Sequence, residues 1–436
     1  MEVKSNGGKM SRTAKTKKEK VTCELFDKMN YICRRYSDRM ARMGLTYAFR
    51  VDADIFRQVI TDLLENVRMF RSGIHSSLFR LYWQTEDYNI NDIVYIIETD
   101  DPYKAKIDFL SEEIPINGNI QLRIALIYSG ESTDICMLWN HMCMDGSAAK
   151  IMLCDICSEY DRRVSGMGYG GSFKTGSRKF SNVYSDMDGK TRLKAKLLYN
   201  YKAMSGECVF PFNKSACAAD STFITALKID ADIMLKAKAK AKQSGATVND
   251  LAVAAFVYAL GRTPGFERKG MIDIMCTVDL RRYLKNPEKL GYTNFSTPFT
   301  CFVESREKSF EQTLSDVCRE NGITKADPFV GLHGLPLLNL GWNAMIYAQA
   351  SLIVSALYKN PRLCVSNVGV IKPSEFVLDG REPSDIFVAG PAKDKPYFLI
   401  NVMSLNGNML VSSTVKGTPE DKKAVEAFFG EIKSCL

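Results

Sequence analysis

The chain has 436 residues, which is too long for one small core and sufficient for two lobes of ordinary domain size. Its 46% hydrophobic and 25% charged residues are typical of globular proteins and exclude a mainly disordered chain. The net charge of +8 is uneven: residues 1–20 carry seven Lys or Arg and two Glu, a net +5 that leaves +3 for the remainder. We therefore predict a basic, disordered tail over 1–20 and no nucleic-acid-binding face.

Thirteen cysteines are scattered without a disulfide framework, and no signal-peptide-like apolar segment precedes them. This usage predicts free thiols in a reducing cytoplasm. Cys154 and Cys157 form a C-x-x-C, but no second pair or histidine cluster completes a metal site, and we predict none. The apolar run Ala344–Tyr358 is too short to span a membrane, so we predict a buried helix in a soluble, monomeric protein.

The first half of the chain alternates predicted strands and helices. Asp52 is a predicted N-cap, and the helix that follows it carries its apolar side chains on one face. These side chains are Ile55, Val59, Leu63 and Val67. The predicted strands of this half have apolar runs and lie at residues 46–51, 78–84, 120–128 and 134–140.

His141 stands directly after the last of these strands. Asp145 comes four residues later, and Gly146 permits a tight turn into an amphipathic helix predicted over 147–163. Imidazole titrates near neutral pH, and the end of a rigid strand would fix the direction of its ring, so His141 is a candidate general base. The alternative is a buried histidine satisfied by hydrogen bonds. Cys143 has no second histidine to activate it, which favours packing over a nucleophilic role.

Residues 164–190 are rich in Gly and Ser, and their composition differs from that of the strands and helices predicted before them. Gly166, Gly168 and Gly171 spell G-x-G-x-x-G, but they follow a helix rather than a strand, which excludes a dinucleotide-binding fingerprint. We predict an interlobe linker with a basic helix over 176–220, the helix itself at Thr191–Ala203. The N-terminal lobe is then residues 21–175 and the C-terminal lobe residues 221–436.

The C-terminal lobe again mixes strands and helices. Thr247 and Asp250 form a predicted capping box at the start of a helix over 251–262. A further helix is predicted at 230–243 and a terminal one at 419–434. The predicted strands of this lobe are 222–229, 271–278, 398–404 and 409–415.

The H-x-x-x-D-G string from His141 to Gly146 resembles the signature of the acyl-CoA-dependent acyltransferase superfamily. That superfamily includes chloramphenicol acetyltransferase, peptide-synthetase condensation domains, BAHD plant acyltransferases and alcohol acetyltransferases. Condensation domains usually read HHxxxDG, and this chain has Asn140 at the first histidine. Other stretches are similar in the same order, so that the resemblance covers roughly residues 25–434. They include Phe49–Ile60, Ala246–Leu251, Asp279–Arg282, Gly291–Asn294 and Val365–Gly369.

The resemblance implies an α/β (α+β sandwich) fold of two chloramphenicol-acetyltransferase-like lobes, with the active site in a tunnel at their interface. It implies that His141 is the catalytic base and that Asp145 points away from the pocket and pairs with Arg281. Gly146 would allow close approach of substrate or backbone. Substrate contacts are expected from Ser366, Asn367 and Asn294, and contacts with donor phosphates from Arg192, Lys194 and Lys196. For these three basic residues the alternative is a solvated surface.

The function implied is transfer of an acyl group from acyl-CoA, a co-substrate rather than a bound cofactor, to the hydroxyl or amine of a small-molecule acceptor. Two alternatives stay open. A condensation-type enzyme would take its acyl group from a carrier-protein thioester supplied in trans. A non-catalytic binding module would retain the fold alone, although the intact His141, Asp145 and Gly146 argue against it.

Overall fold

The computed structural model describes residues 18–197, 204, 206–213 and 221–436. The strands, numbered in chain order, are β1 (Lys20–Thr22), β2 (Met40–Tyr47), β3 (Ser72–Ser76), β4 (Leu81–Thr85), β5 (Val94–Glu98), β6 (Leu122–Ser129), β7 (Ser132–Asn140), β8 (Ser221–Ile229), β9 (Met271–Asp279), β10 (Ser296–Glu304), β11 (Leu363–Ile371), β12 (Asp385–Ala389), β13 (Phe398–Leu405) and β14 (Asn408–Gly417). The helices are α1 (Leu25–Cys33), α2 (Ala53–Asn66), α3 (Pro102–Leu110), α4 (Gly146–Val164), α5 (Gly189–Leu197), α6 (Ala231–Gln243), α7 (Val248–Arg262), α8 (Phe310–Ala326), α9 (Leu335–Ala344), α10 (Tyr347–Leu357) and α11 (Pro419–Cys435).

The N-terminal lobe is built on a five-stranded sheet in the order β12-β2-β7-β6-β5. β7 occupies the centre and pairs antiparallel with β2 and β6, which explains its uninterrupted apolar sequence. Helices α2 and α4 pack together, and the core beneath them contains Phe56, Leu63 and Met152. The central position of β7 makes its C-terminal end, where His141 follows, one of the most constrained points of the lobe.

The C-terminal lobe is built on a six-stranded sheet in the order β10-β9-β11-β13-β14-β8. Helices α7, α8 and α11 contact this sheet, and α7 contacts both α8 and α11. Four phenylalanines from different elements, Phe210, Phe256, Phe398 and Phe428, meet in its core, with ring centroids 4.2–5.9 Å apart. Thr247 and Asp250 form the predicted capping box at the start of α7.

The two halves of the chain are interlocked by β12. This strand belongs to the second half of the sequence, yet it pairs antiparallel with β2 and forms the edge of the N-terminal sheet. A third, small sheet has the order β1-β4-β3. β1 starts at Lys20, the last residue of the predicted tail, while residues 1–17 of that tail and 198–203, 205 and 214–220 of the predicted linker lie outside the described residues.

Two predicted elements are wrong. The strand expected at 46–51 runs instead from Met40 to Tyr47. Arg42 interrupts the apolar pattern of this strand, but its guanidinium is fully buried, forms an ion pair with Asp38 and donates to the carbonyls of Leu110, Met40 and Gly390.

The second error concerns the apolar run 344–358, which is an exposed helix rather than a buried one. Only one side of α10 packs inward, through Tyr347 and Ala350, and the outer side presents Leu352, Ile353 and Leu357 to solvent. Within the described residues, no helix combines the length and apolar composition required to cross a bilayer.

Candidate active site

The backbone of His141 is held from both halves of the chain. Its N–H donates to the carbonyl of Arg39 at 2.8 Å, which continues the pairing of β7 with the start of β2. From the second half, Asn294 Nδ2 donates to the carbonyl oxygens of His141 (2.8 Å) and Met142 (2.9 Å). The turn that carries His141 is therefore fixed at the junction of the lobes. Asn294, predicted as a substrate contact, has its amide nitrogen committed to positioning this turn.

The His141 imidazole is held in its neutral form. Removal of water by burial lowers its pKa to about 4, and the positive charges of Arg39 and Lys393 act in the same direction. The carboxylate of Asp145 opposes this shift. Nδ1 is buried, and no other described residue forms a hydrogen bond with it. At neutral pH the ring is thus unprotonated, which is the state that a general base requires.

Asp145 joins the start of α4 to the second half of the chain. Its Oδ1 accepts from Ala148 N–H at 2.9 Å and caps the helix, while its Oδ2 accepts from Phe295 N–H at 2.6 Å. Arg281 Nη1 lies 3.0 Å from the same Oδ2, so the structure brings together the two residues expected to pair. Burial alone would raise the pKa of Asp145, but the charge of Arg281 and these hydrogen bonds outweigh it and lower the pKa.

Arg281 is fixed by more than Asp145. Its guanidinium also donates to Asp279 Oδ1 at 3.1 Å and to the Thr293 carbonyl at 2.9 Å. Both Asp145 oxygens are occupied by donors other than His141. Among the described residues, none of the hydrogen bonds of Asp145 reaches the His141 ring, and they join the start of α4 to the second half of the chain.

The remaining predicted residues lie at varied distances from this centre. At Gly146, a Cβ would meet no atom within 4 Å, so there is open space beside the first turn of α4. Ser366 and Asn367 lie on β11 of the other sheet, where Asn367 accepts from Gly369 N–H at 2.9 Å and donates to Asn249 at 3.3 Å. Among the described residues, none of the hydrogen bonds of Asn367 reaches the His141 turn.

The three basic residues predicted to contact donor phosphates are exposed on α5, which packs against α9. Arg192 donates to the carbonyl of Met187 at 2.9 Å. The Nζ atoms of Lys194 and Lys196 lie 5.9 Å and 5.6 Å from the ring centroids of Phe329 and Tyr184. The structure does not connect these residues with His141.

Neither metal nor cysteine chemistry has support at this centre. The described residues contain no group of three or more His, Cys, Asp or Glu side chains placed to hold a metal ion. Cys143 is buried, and burial raises the pKa of its thiol far above the ordinary value. A surface depression of about 310 Å³, lined by residues such as Tyr258, Arg268 and Arg306, includes none of the predicted site residues.

Comparison with solved structures places this arrangement in a known fold, although no protein-family model and no curated protein sequence matches the chain. Polyketide synthase associated protein 5 from Mycobacterium tuberculosis superposes with a TM-score of 0.65 and 14% identity, over 95% of this chain and 97% of that one. The trichothecene 15-O-acetyltransferase from Fusarium sporotrichioides gives 0.65 and 14%, over 96% of each chain. The first condensation domain of the calcium-dependent antibiotic synthetase gives 0.64 and 12%, over 96% of each.

This chain has the fold shared by the trichothecene acetyltransferase and the condensation domain. At these identities the likeness establishes the fold alone. Asn140, expected at the position of the first histidine of HHxxxDG, is the last residue of β7. Its Nδ2 donates to Gln121 at 2.9 Å and its Oδ1 accepts from Met142 N–H at 3.0 Å. Both polar side-chain atoms of the buried Asn140 are therefore hydrogen-bonded, and the bond from Met142 lies within the His141 turn.

Two cationic residues near His141 were missed by the sequence reasoning. Arg39 precedes β2 and has a positive φ of 60°, and Lys393 follows β12. A left-handed backbone at a residue other than glycine is strained by roughly 1–3 kcal/mol, and such strain concentrates at functional sites. The sequence offers no signal for either residue, because neither the backbone angle nor the crossing of β12 can be read from the residue pattern.

Proposed function

We propose that the chain is an acyltransferase that moves an acyl group from the thioester of acyl-CoA to a hydroxyl or amine of a small acceptor. The observation that carries this proposal is His141, whose pKa burial lowers to about 4 and whose backbone is held at the lobe junction by Arg39 and Asn294. The fold likeness also supports the proposal, because the H-x-x-x-D-G segment was expected in a protein of this fold.

The proposed reaction proceeds by direct attack without an acyl-enzyme. His141 takes the proton from the acceptor O–H or N–H as that atom attacks the thioester carbonyl carbon. The resulting tetrahedral intermediate collapses, the C–S bond breaks, and the thiolate receives the proton from His141. A positioned base of this kind contributes about 10²–10⁴-fold to the rate. Binding both substrates at one junction adds the advantage of proximity.

The surroundings of His141 suit this role in two ways. The Asp145–Arg281 pair locks the start of α4 to the second half of the chain, so that the base does not move relative to a substrate held between the lobes. A Cβ added at Gly146, five residues after His141, would meet no atom within 4 Å, and we propose that the pantetheine arm passes the first turn of α4 on this side.

Release of free thiol tests the proposal. Purified protein is mixed with acetyl-, butyryl- or octanoyl-CoA and with alcohols and amines, and thiol formation is followed together with the mass of the acylated acceptor. We expect acceptor-dependent thiol release that is lost in His141→Ala.

The same assay with acyl-pantetheinyl carrier protein as donor tests the alternative source of the acyl group. Turnover with the carrier protein only would show that the acyl donor is a carrier-protein thioester rather than acyl-CoA, as in a condensation-type enzyme. Absence of turnover with both donors, in protein that remains folded, would leave a non-catalytic binding module.

A further inference from the structure

The outer sides of α9 and α10 carry large apolar side chains that remain exposed among the described residues. On α9 these include Leu337 and Leu340. On α10 they include Leu352 and Leu357, which are 73% and 75% exposed. Neither helix contains a charged residue. A helix that is apolar on all sides is normally covered on all sides, so the outer sides of α9 and α10 lack a partner.

A turn of the small sheet extends the same surface. Leu78 and Phe79 lie in the exposed turn between β3 and β4. Their carbonyl oxygens accept from the N–H groups of Ala348 (3.1 Å) and Tyr347 (3.2 Å) at the start of α10. The rings of Trp342 and Tyr347 stack with centroids 5.9 Å apart and hold α9 against α10. Large exposed apolar patches mark sites of interaction with proteins or membranes. We call six of these side chains the apolar face: Leu78, Phe79, Leu337, Leu340, Leu352 and Leu357.

Basic side chains surround the apolar face. Arg80 directly follows Phe79 in the turn, and the exposed Lys359 lies two residues after Leu357. Lys28 Nζ lies 5.7 Å from the ring centroid of Trp342 on α9. Helix α5 contacts α9 and contributes four exposed basic residues, Lys190, Arg192, Lys194 and Lys196.

Acidic residues do not occur in the segments that form this surface. Residues 72–85, 189–206 and 328–374 contain no Asp or Glu. Asp188, just before α5, accepts from backbone N–H groups at the start of that helix, and Asp327 pairs with a histidine. The surface therefore combines exposed apolar side chains with a net positive charge, and its partner should be apolar and negatively charged.

We infer that the apolar face docks the protein onto an anionic lipid surface. Helices α9 and α10 lie in the plane of the headgroups, the turn at Leu78 and Phe79 enters the acyl region, and the surrounding cations contact lipid phosphates. Docking of this kind requires no membrane-spanning helix. The inference rests on the exposed side chains and their charge, and it does not depend on the proposed function.

Two other partners fit the surface less well. A second copy of the chain, joined through the same face, would bring the α5 cations of both subunits to one boundary, where they repel. A protein partner would normally be bound through Trp, Tyr and Arg side chains, which carry most of the binding energy in protein interfaces. The apolar face instead consists of five leucines and one phenylalanine.

Flotation of the full chain with lipid vesicles tests the inference. Vesicles of phosphatidylcholine alone are compared with vesicles that contain about 30% phosphatidylglycerol. Each Lys or Arg near an anionic surface contributes roughly fivefold in affinity, so we expect at least about tenfold tighter binding to the anionic vesicles. Binding should weaken as salt rises from about 0.1 M to about 1 M. Equal binding to both compositions, or binding to neither, overturns the inference.

Replacing both Leu352 and Leu357 by Asn should weaken binding to anionic vesicles by at least about tenfold, because two large side chains no longer gain from contact with acyl chains. The melting temperature should be unchanged, since both side chains are exposed. Leu235→Asn with Ile323→Asn is the matched control, at leucine and isoleucine side chains 70% and 67% exposed on α6 and α8. Full binding by the α10 variant, or an equal loss in the control, contradicts the assignment of this face.

Tryptophan fluorescence measures the orientation directly. Phe79→Trp should be quenched by vesicles whose acyl chains are brominated, whereas Leu235→Trp should not. The three native tryptophans are buried, and wild-type protein gives their baseline. Vesicle binding without quenching at position 79 rules out insertion of the turn.

Sedimentation velocity without lipid identifies the other occupants. A concentration-dependent dimer that is lost in the α10 variant, together with no vesicle binding, would assign the face to a second copy. A monomer that binds no vesicles would leave a protein partner. Either result overturns lipid docking and leaves the proposed acyl transfer unaffected, because the thiol-release assay uses no lipid.

Discussion

Arg281 Nη1 lies 3.0 Å from Asp145 Oδ2 across 136 residues of sequence, and this contact ties the first turn of α4 to the segment that follows β9. Asp145 is almost completely inaccessible to solvent. Removing one partner of a buried ion pair leaves the other charge without compensation, so the pair holds the two segments in one relative position. The relative position of His141 and the second half of the chain depends on it.

Replacing Asp145 by Asn should lower the free energy of unfolding by roughly 3 kcal/mol, because it leaves the buried Arg281 guanidinium with Asp279 as its remaining carboxylate. Asp279 is more exposed, so Asp279→Asn is the matched control and should change stability by less than about 1 kcal/mol. Urea denaturation measures both. Normal stability of Asp145→Asn combined with lost activity would instead give this aspartate a direct part in catalysis.

Replacing His141 by Ala should lower turnover with acyl-CoA by at least about a hundredfold, since this is the lower range for loss of a general base. Folding should be retained, because the backbone bonds to Arg39 and Asn294 do not involve the side chain. His75→Ala, at a histidine on β3 of the small sheet, is the control and should keep full activity. Near-normal turnover of His141→Ala would remove the residue from the mechanism.

The depressed pKa of His141 predicts a pH-dependent contribution to stability. Between the folded value of about 4 and the ordinary 6.5, the unfolded chain binds a proton that the folded chain does not. The contribution is therefore fully present above pH 6.5 and is lost as the pH falls toward 4, by an amount on the order of 3 kcal/mol. Denaturation of wild type and His141→Ala should show free energies whose difference varies with pH over this window. A constant difference would mean that the pKa is not depressed.

Replacing Asn294 by Ala removes the two hydrogen bonds that hold the carbonyls of His141 and Met142. Loss of these bonds should lower stability by about 1–3 kcal/mol. It should also lower kcat by roughly tenfold or more, because a small displacement of the base is costly. KM should change less than kcat. A rise in KM with unchanged kcat would show that Asn294 acts on the substrate, as the sequence had suggested.

Reversing the charge of Arg192, Lys194 and Lys196 to Glu should raise the KM for the CoA donor by roughly three- to tenfold and flatten its dependence on salt, if these residues attract donor phosphates. The KM for the acceptor should stay constant. The equivalent reversal of Lys236, Lys240 and Lys242 on α6 controls for total charge. Unchanged donor KM and salt dependence in the α5 variant would identify a solvated surface.

The fold class followed from the family resemblance. Long apolar runs, which burial on two faces leaves, predicted β6 and β7 of the N-terminal sheet and β8, β9, β13 and β14 of the C-terminal sheet. This pattern failed for β2, where the charge of Arg42 is neutralised inside the lobe by Asp38. It also failed for α10. The apolar side chains on one side of this helix are exposed to solvent, although an apolar run normally packs against another element. At the site, the H-x-x-x-D-G spacing identified His141 and Asp145. Arg39 and Lys393 were missed, because pairing between distant segments determines where they lie.

The position of β12 also has a consequence for synthesis of the protein. The chain is synthesised from its N-terminus, so β2, β5, β6 and β7 are complete long before residues 385–389 have been added. Until then the backbone N–H and C=O groups along one side of β2 have no strand to pair with, and an open edge of this kind recruits other chains. The N-terminal half expressed alone would keep that edge permanently, and it should aggregate unless a peptide spanning Asp385–Ala389 is supplied.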